Sequence, residues 1–132
     1  MKNFKRYCKT LQLENDAALI EGYKKLHAMG NTWPEISQGM KDVGIIDMEI
    51  YLDGTTLFMI MDTTQDFDHE KAMTKLAMLP RQSEWEATVS NYQKTSASSS
   101  AKDKWKLMER IYKLDQNIEC KIENGYWEEV KF

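Results

Sequence analysis

An α+β fold is predicted by three observations. The opening segment contains no breaker, an Asp-Gly dipeptide sits between two apolar runs, and paired helical patterns lie on either side of those runs. The implied order is β, αα, ββ, αα, β. Such an order builds a four-stranded, largely antiparallel sheet that carries helices on one face. In a single copy the other face would stay uncovered, and apolar residues on both faces of the strands point to a second copy lying over it.

Lys5 to Leu13 alternates loosely and reads as the first strand. Asn15 or Asp16 can cap the helix that follows. Its apolar positions Leu19, Tyr23, Leu26 and His27 recur at helical spacing, and Gly30-Asn31 supplies a left-handed stop. Thr32-Trp33-Pro34-Glu35 has the pattern of a capping box with proline in the first turn, opening a second helix with Ile36, Met40 and Val43 inward. Gly44 ends it.

Ile45 to Leu52 and Thr56 to Asp62 are strands joined around Asp53-Gly54, a strong short-range hairpin signal. Strict alternation puts Ile46, Met48, Ile50 and Leu52 on one face and Asp47, Glu49 and Tyr51 on the other, toward a dimer interface or solvent. A third helix runs from about Phe67 to Met78 and breaks at Pro80. A second capping-box pattern, Ser83-Glu84-Trp85-Glu86, opens a fourth helix with Trp85, Val89 and Tyr92 on one face. Residues 95–103 read as a flexible Ser-rich loop and Lys104 to Leu114 as a final strand. The remainder, 115–132, is a C-terminal extension expected to pack on a neighbouring subunit.

The chain has 132 residues, 42% hydrophobic and 30% charged, so a single domain spanning 1–132 is expected. Its net charge is −3 with no basic stripe, which argues against nucleic acid as a partner. No apolar run approaches the roughly 18 residues of a membrane span, and no apolar segment follows the basic N-terminus. Cys8 and Cys120 are far apart and fit reduced thiols, so a cytoplasmic protein is expected.

Tyr23 and His27 stand four apart on one helix, so their side chains share a face. Histidine exchanges protons near neutral pH, and a phenol with a tryptophan beside it suits a small polar ligand. His69, between Asp68 and Glu70, reads as a solvated first-turn residue. No spacing of His27, His69 and carboxylates forms a familiar metal site, so no metal is expected.

Tyr23-x-x-x-His27, then Trp33-Pro34-Glu35, then a Gly44 turn into Ile50-Tyr51-Leu52-Asp53, resemble the L-rhamnose mutarotase family in order and spacing, most closely members assigned to L-fucose. The resemblance runs from about Phe4 to Tyr92 and resumes near Leu107 to Leu114. It implies a ferredoxin-like dimeric α/β barrel, a homodimer that interconverts the anomers of a 6-deoxy-hexose. It also implies that Tyr23 and His27 line the pocket, with His27 as general acid. Of an aromatic pair opening the last helix, Trp85 matches, while Glu84 stands where a second tryptophan would be. Met48 takes the place of a pocket tyrosine, and the spacer between His27 and Trp33 is two residues longer than in the rhamnose enzymes.

Mutarotation needs a base at the anomeric hydroxyl and an acid at the ring oxygen, and requires no cofactor. The expected catalytic set is His27, Tyr23 and Glu84, with Glu84 as the candidate second proton carrier or otherwise a first-turn residue favoured by the helix dipole. Trp33, Met48 and Trp85 are the expected substrate-binding residues, offering apolar surface to a sugar. The rival is a non-catalytic small-molecule binder or a cofactor-free monooxygenase on the same fold.

Overall fold

The computed structural model describes residues 4–95, 99–114, 118–123 and 126–131, the last two stretches as backbone. Its elements are β1 (Phe4–Gln12), α1 (Ala17–His27), α2 (Pro34–Asp42), β2 (Ile45–Asp53), β3 (Thr56–Thr63), α3 (His69–Ala77), α4 (Gln82–Ser90), α5 (Ala101–Lys104), β4 (Lys106–Leu107), β5 (Ile118–Glu123) and β6 (Tyr126–Lys131).

All described strand pairs are antiparallel. The expected four strands lie in the order β2-β3-β1-β4, and the hairpin of β5 and β6 extends the same sheet, with β6 beside β1. The described part of the C-terminal extension is therefore tied by its backbone to this chain's own sheet, with Phe4 opposite Glu129 and Arg6 opposite Trp127. That pairing explains why the strand expected over Lys104 to Leu114 shrinks to Lys106–Leu107. β6 occupies the edge of β1 at Phe4–Arg6, so β4 reaches only Lys9 and Thr10, followed by one further bond from Met108 N–H to the Cys8 carbonyl. Within the Ser-rich stretch, Ala101–Lys104 forms the single turn α5; residues 96–98 lie outside the described residues.

Alternation decides which face of the sheet is covered. Tyr7, Lys9 and Leu11 of β1 and Leu57, Met59 and Met61 of β3 are buried beneath the helices, where Ile36, Met73, Leu76, Trp85 and Val89 complete the core. On the opposite face Arg6 pairs with Asp62 directly across the strands, through Nε at 2.7 Å and Nη2 at 2.9 Å. Cys8, Phe58 and Ile60 there are half-buried, and Tyr51 is 54% exposed.

Helix starts follow the expected chemistry at two places and depart from it at two others. Asp16 accepts from the N–H groups of Ala18 and Leu19, and Asp68 from that of Lys71. Neither capping box forms. α2 starts with Trp33 as its cap and α4 with Arg81, without a side-chain cap bond at either. Arg81 adopts the left-handed conformation (φ 65°), rare for a residue with a Cβ, and its side chain holds Glu35 of the first box, while Glu86 of the second is held by Lys104 and Gln82. Arg81 bonds Glu84 at 2.5 Å and pairs with Glu35 at 3.6 Å, tying the first turns of α2 and α4 together.

Two turns depend on glycine. Gly54 (φ 61°) opens the β2–β3 turn, which is Gly54-Thr55 rather than Asp53-Gly54 because Asp53 still pairs with Thr56. Gly22 lies against Tyr92, whose Cε1 would stand 2.7 Å from an added Cβ, so only glycine lets that ring pack on α1.

Candidate active site

A cavity of about 410 Å³ lies between the helices and the covered face of the sheet, within the usual size range of small-ligand pockets. Five of the six expected site residues line it: Tyr23, His27, Trp33, Met48 and Trp85. Helical spacing explains the first two. Tyr23 and His27 are one turn apart on α1, with ring centroids 4.2 Å apart. Trp85 from α4 meets His27 edge-on at 5.3 Å and Trp33 edge-on at 5.1 Å, so four rings from three helices form one aromatic wall. Arg81 lies over the outer face of Trp33, 4.1 Å from its centroid, and holds that ring where α2 begins.

Glu84 is the residue that the fold does not bring in. It lies exposed on the outer side of α4, held by two bonds from the Arg81 guanidinium, and does not line the cavity. The expectation that Glu84 faces a bound sugar is not met by that geometry. Helical rotation turns Trp85 and Glu86 inward instead, and both are buried.

His27 is held in a defined protonation pattern. Its Nδ1 lies 2.8 Å from the Tyr23 carbonyl oxygen, which can only accept. Nδ1 therefore carries the hydrogen, and in the neutral ring Nε2 has a free lone pair. Burial lowers the His27 pKa, partly opposed by that hydrogen bond, so the neutral form is favoured. Tyr23 orients His27 through its backbone rather than its hydroxyl. The hydroxyl accepts from Gln93 Nε2 at 3.3 Å, and burial pushes its pKa up to about 12, so it keeps its proton.

Polar groups that the sequence reading passed over complete the cavity. Glu86 accepts from Lys104 Nζ at 2.9 Å on one carboxylate oxygen and from Gln82 Nε2 at 2.7 Å on the other. Gln93 is 3% exposed, and its Oε1 has no hydrogen-bond partner among the described residues. The backbone bonds of Gln12 and Glu14 to Lys94 and Tyr92 hold it there. Lys9, 1% exposed, faces the cavity from the sheet. A signal for Lys9 was present: it shares parity with Tyr7, Leu11 and Leu13, all inward-facing. The Gln82–Glu86 spacing of four was a weaker signal, and nothing local marked Gln93.

Asp47 also reaches the cavity, against the expectation that it faces away. A bulge at Ile45/Asp47 inserts Ile46 as an extra residue, so Ile45 and Met48 both point inward while Ile46 is 55% exposed. His69 is not solvated as expected. Its ring lies 4.8 Å from that of Tyr7, and its Nε2 is buried without a hydrogen-bond partner among the described residues. Among the described residues, no three His, Cys, Asp or Glu side chains gather as a metal ion would require.

Comparisons with known proteins give the chain relatives in sequence and in fold. The model of a family described as L-rhamnose mutarotase matches residues 6–114. A protein of Xanthomonas campestris pv. campestris named L-fucose mutarotase is 33% identical over 116 residues, covering 88% of this chain and 93% of its own. A UPF0734 protein of Dictyostelium discoideum is 34% identical over 117 residues, covering 86% and 92%. The crystal structure of an L-rhamnose mutarotase from Formosa agariphila superposes with a TM-score of 0.60 at 18% identity, over 83% of this chain and 98% of that one, a likeness of fold.

Proposed function

The chain belongs to the L-rhamnose mutarotase family and is a carbohydrate isomerase, and we propose that it interconverts the α and β anomers of a 6-deoxy-hexose, L-fucose or L-rhamnose. The observation that carries this reading is the pinned His27 imidazole, whose free Nε2 belongs to a cavity-lining residue. His27 accepts the proton of the anomeric hydroxyl as the ring opens and returns it as the ring closes, so the acid role implied by the family falls in the second half of the cycle. Between the two steps the open chain rotates about C1–C2, which exposes the other face of the aldehyde.

The walls suit such a substrate. Trp33 and Trp85 offer flat apolar surface to the C–H face of a pyranose, and Met48 offers a soft contact for the C6 methyl. The Gln93 Oε1 atom is a buried acceptor awaiting a donor, and a sugar hydroxyl supplies one. In this reading the protein works in the cytoplasm as a homodimer, the second copy covering Cys8, Tyr51, Phe58 and Ile60 on the open face of the sheet. The helices among the described residues are all too short or too polar to cross a membrane.

Anomer-exchange NMR with L-fucose, L-rhamnose, D-galactose and D-glucose tests activity and substrate together. A deoxy-hexose should exchange faster with enzyme than without. His27→Ala should lower the catalysed rate about 100-fold or more while the circular dichroism spectrum stays native. Exchange at the spontaneous rate for all four sugars would refute the proposal.

A further inference from the structure

We propose that Lys9 is the second proton carrier of this reaction, the acid at the ring oxygen that His27 needs as its counterpart. The inference rests on the mutarotase reading and adds a residue to it.

Position comes first. Lys9 projects from the middle of β1, opposite Met59 of β3 and Leu107 of β4, and faces the cavity from the sheet. His27 faces the same cavity from the helix layer. A sugar bound between the layers therefore has one nitrogen base on the helix side and one ammonium on the sheet side.

The partners of Lys9 come second. Among the described residues, no carboxylate pairs with it and no side chain or carbonyl accepts from its ammonium. The other buried cation near the cavity, Lys104, is paired with the Glu86 carboxylate and also bonds its carbonyl. An unpaired buried ammonium is costly in a protein that needs only a core, and it is available for chemistry. Burial among apolar side chains lowers its pKa to about 8, within reach of physiological pH, whereas an ordinary lysine holds its proton too tightly.

The remaining ionisable groups around it are excluded by their own contacts. Both Glu86 oxygens are occupied, and Tyr23 keeps its proton. Asp47 and Lys41 lie on the exposed rim. His69, on the α3 side, does not line the cavity and feels Lys9 only through its charge.

The proton balance closes. His27 Nε2 takes the hydrogen of O1, the C1–O5 bond breaks as the C1–O1 double bond forms, and the Lys9 ammonium gives its proton to O5. The open-chain aldehyde then lies between an imidazolium and a neutral amine. After rotation, O5 attacks the other face of C1, its proton returns to Lys9, and His27 returns its proton to O1.

The test is a pair of variants, Lys9→Arg and Lys9→Met, measured with the sugar that the wild type exchanges. Arginine keeps the charge but does not release its proton in this pH range. Both variants should retain native circular dichroism and lose about 100-fold in kcat, with KM within a few-fold of wild type. The wild-type kcat should decline as pH rises through about 8, and that decline should be absent from the residual activity of Lys9→Met. A Lys9→Arg enzyme as fast as wild type overturns the proposal, because charge alone then suffices. A Lys9→Met enzyme with raised KM and unchanged kcat also overturns it, by making Lys9 a binding group. Wild-type protein that exchanges no sugar removes the mutarotase reading itself, a separate outcome.

Discussion

The seam between α4 and α5 and the middle of β1 each bury a lysine near one cavity, under opposite conditions. At the seam, Lys104 meets the Glu86 carboxylate and carbonyl, while Gln82 takes the other carboxylate oxygen. In β1, Lys9 sits opposite Met59 and Leu107 with no counter-charge paired to it among the described residues. The first lysine closes a hydrogen-bond network and holds the short α5 turn against α4. The second leaves its charge unsatisfied at the cavity. A buried charge with every partner present belongs to the architecture; one without partners lowers stability and is retained where it acts on a ligand.

The largest test of that contrast is the removal of each cation. Lys104→Met strands the Glu86 carboxylate and should destabilise the fold by about 3–5 kcal/mol in urea titration. A loss below about 1 kcal/mol would mean that the pair is not structural. Lys9→Met should act in the opposite direction and raise stability at pH 7 by roughly 1–3 kcal/mol, because it removes a charge that folding buries uncompensated. If it destabilises as much as Lys104→Met does, the distinction between the two lysines fails.

A pH series of melting temperatures sharpens the same contrast. The folded pKa of Lys9, about 8, lies below its ordinary value of 10.5. The unfolded chain therefore binds more protons between those limits, and stability should rise with pH across that window. Below pH 8 the burial cost is present in full. The rise should be present in wild type and missing in Lys9→Met. His69 acts in the acid range: burial and the Lys9 charge lower its pKa from 6.5 to about 4, so stability should fall as pH drops from 6.5 to 4. His69→Phe should flatten that fall.

The smallest expected effect is at Glu84. Its only described side-chain bonds are to Arg81 on the exposed side of α4, so Glu84→Gln should leave anomer exchange unchanged and alter stability by about 0.5 kcal/mol or less. A tenfold loss of exchange would restore it to the catalytic set and weaken the case for Lys9.

Local rules written in the sequence determined much of this protein. Periodicity located α1 and the facing pair Tyr23 and His27, Asp16 began that helix, and an Asp-Gly signal joined β2 to β3. These features need only neighbours within a turn or across a hairpin, and the chain carries that information directly. Tertiary structure alone decided the rest, because each remaining feature depends on residues far apart in the chain. Neither capping box formed, because distant partners took their glutamates: Arg81 pairs with Glu35, and Lys104 with Gln82 holds Glu86. The β6 strand took the edge of β1 that the strand after α5 was expected to use. A bulge turned Ile45 inward and left Ile46 exposed by one inserted residue. For Lys9 and Lys104, sequence set only parity and helical position. Whether a carboxylate stood within reach was settled by the packing of α4 and α5 against the sheet, and that distance separates an ion pair from a proton donor.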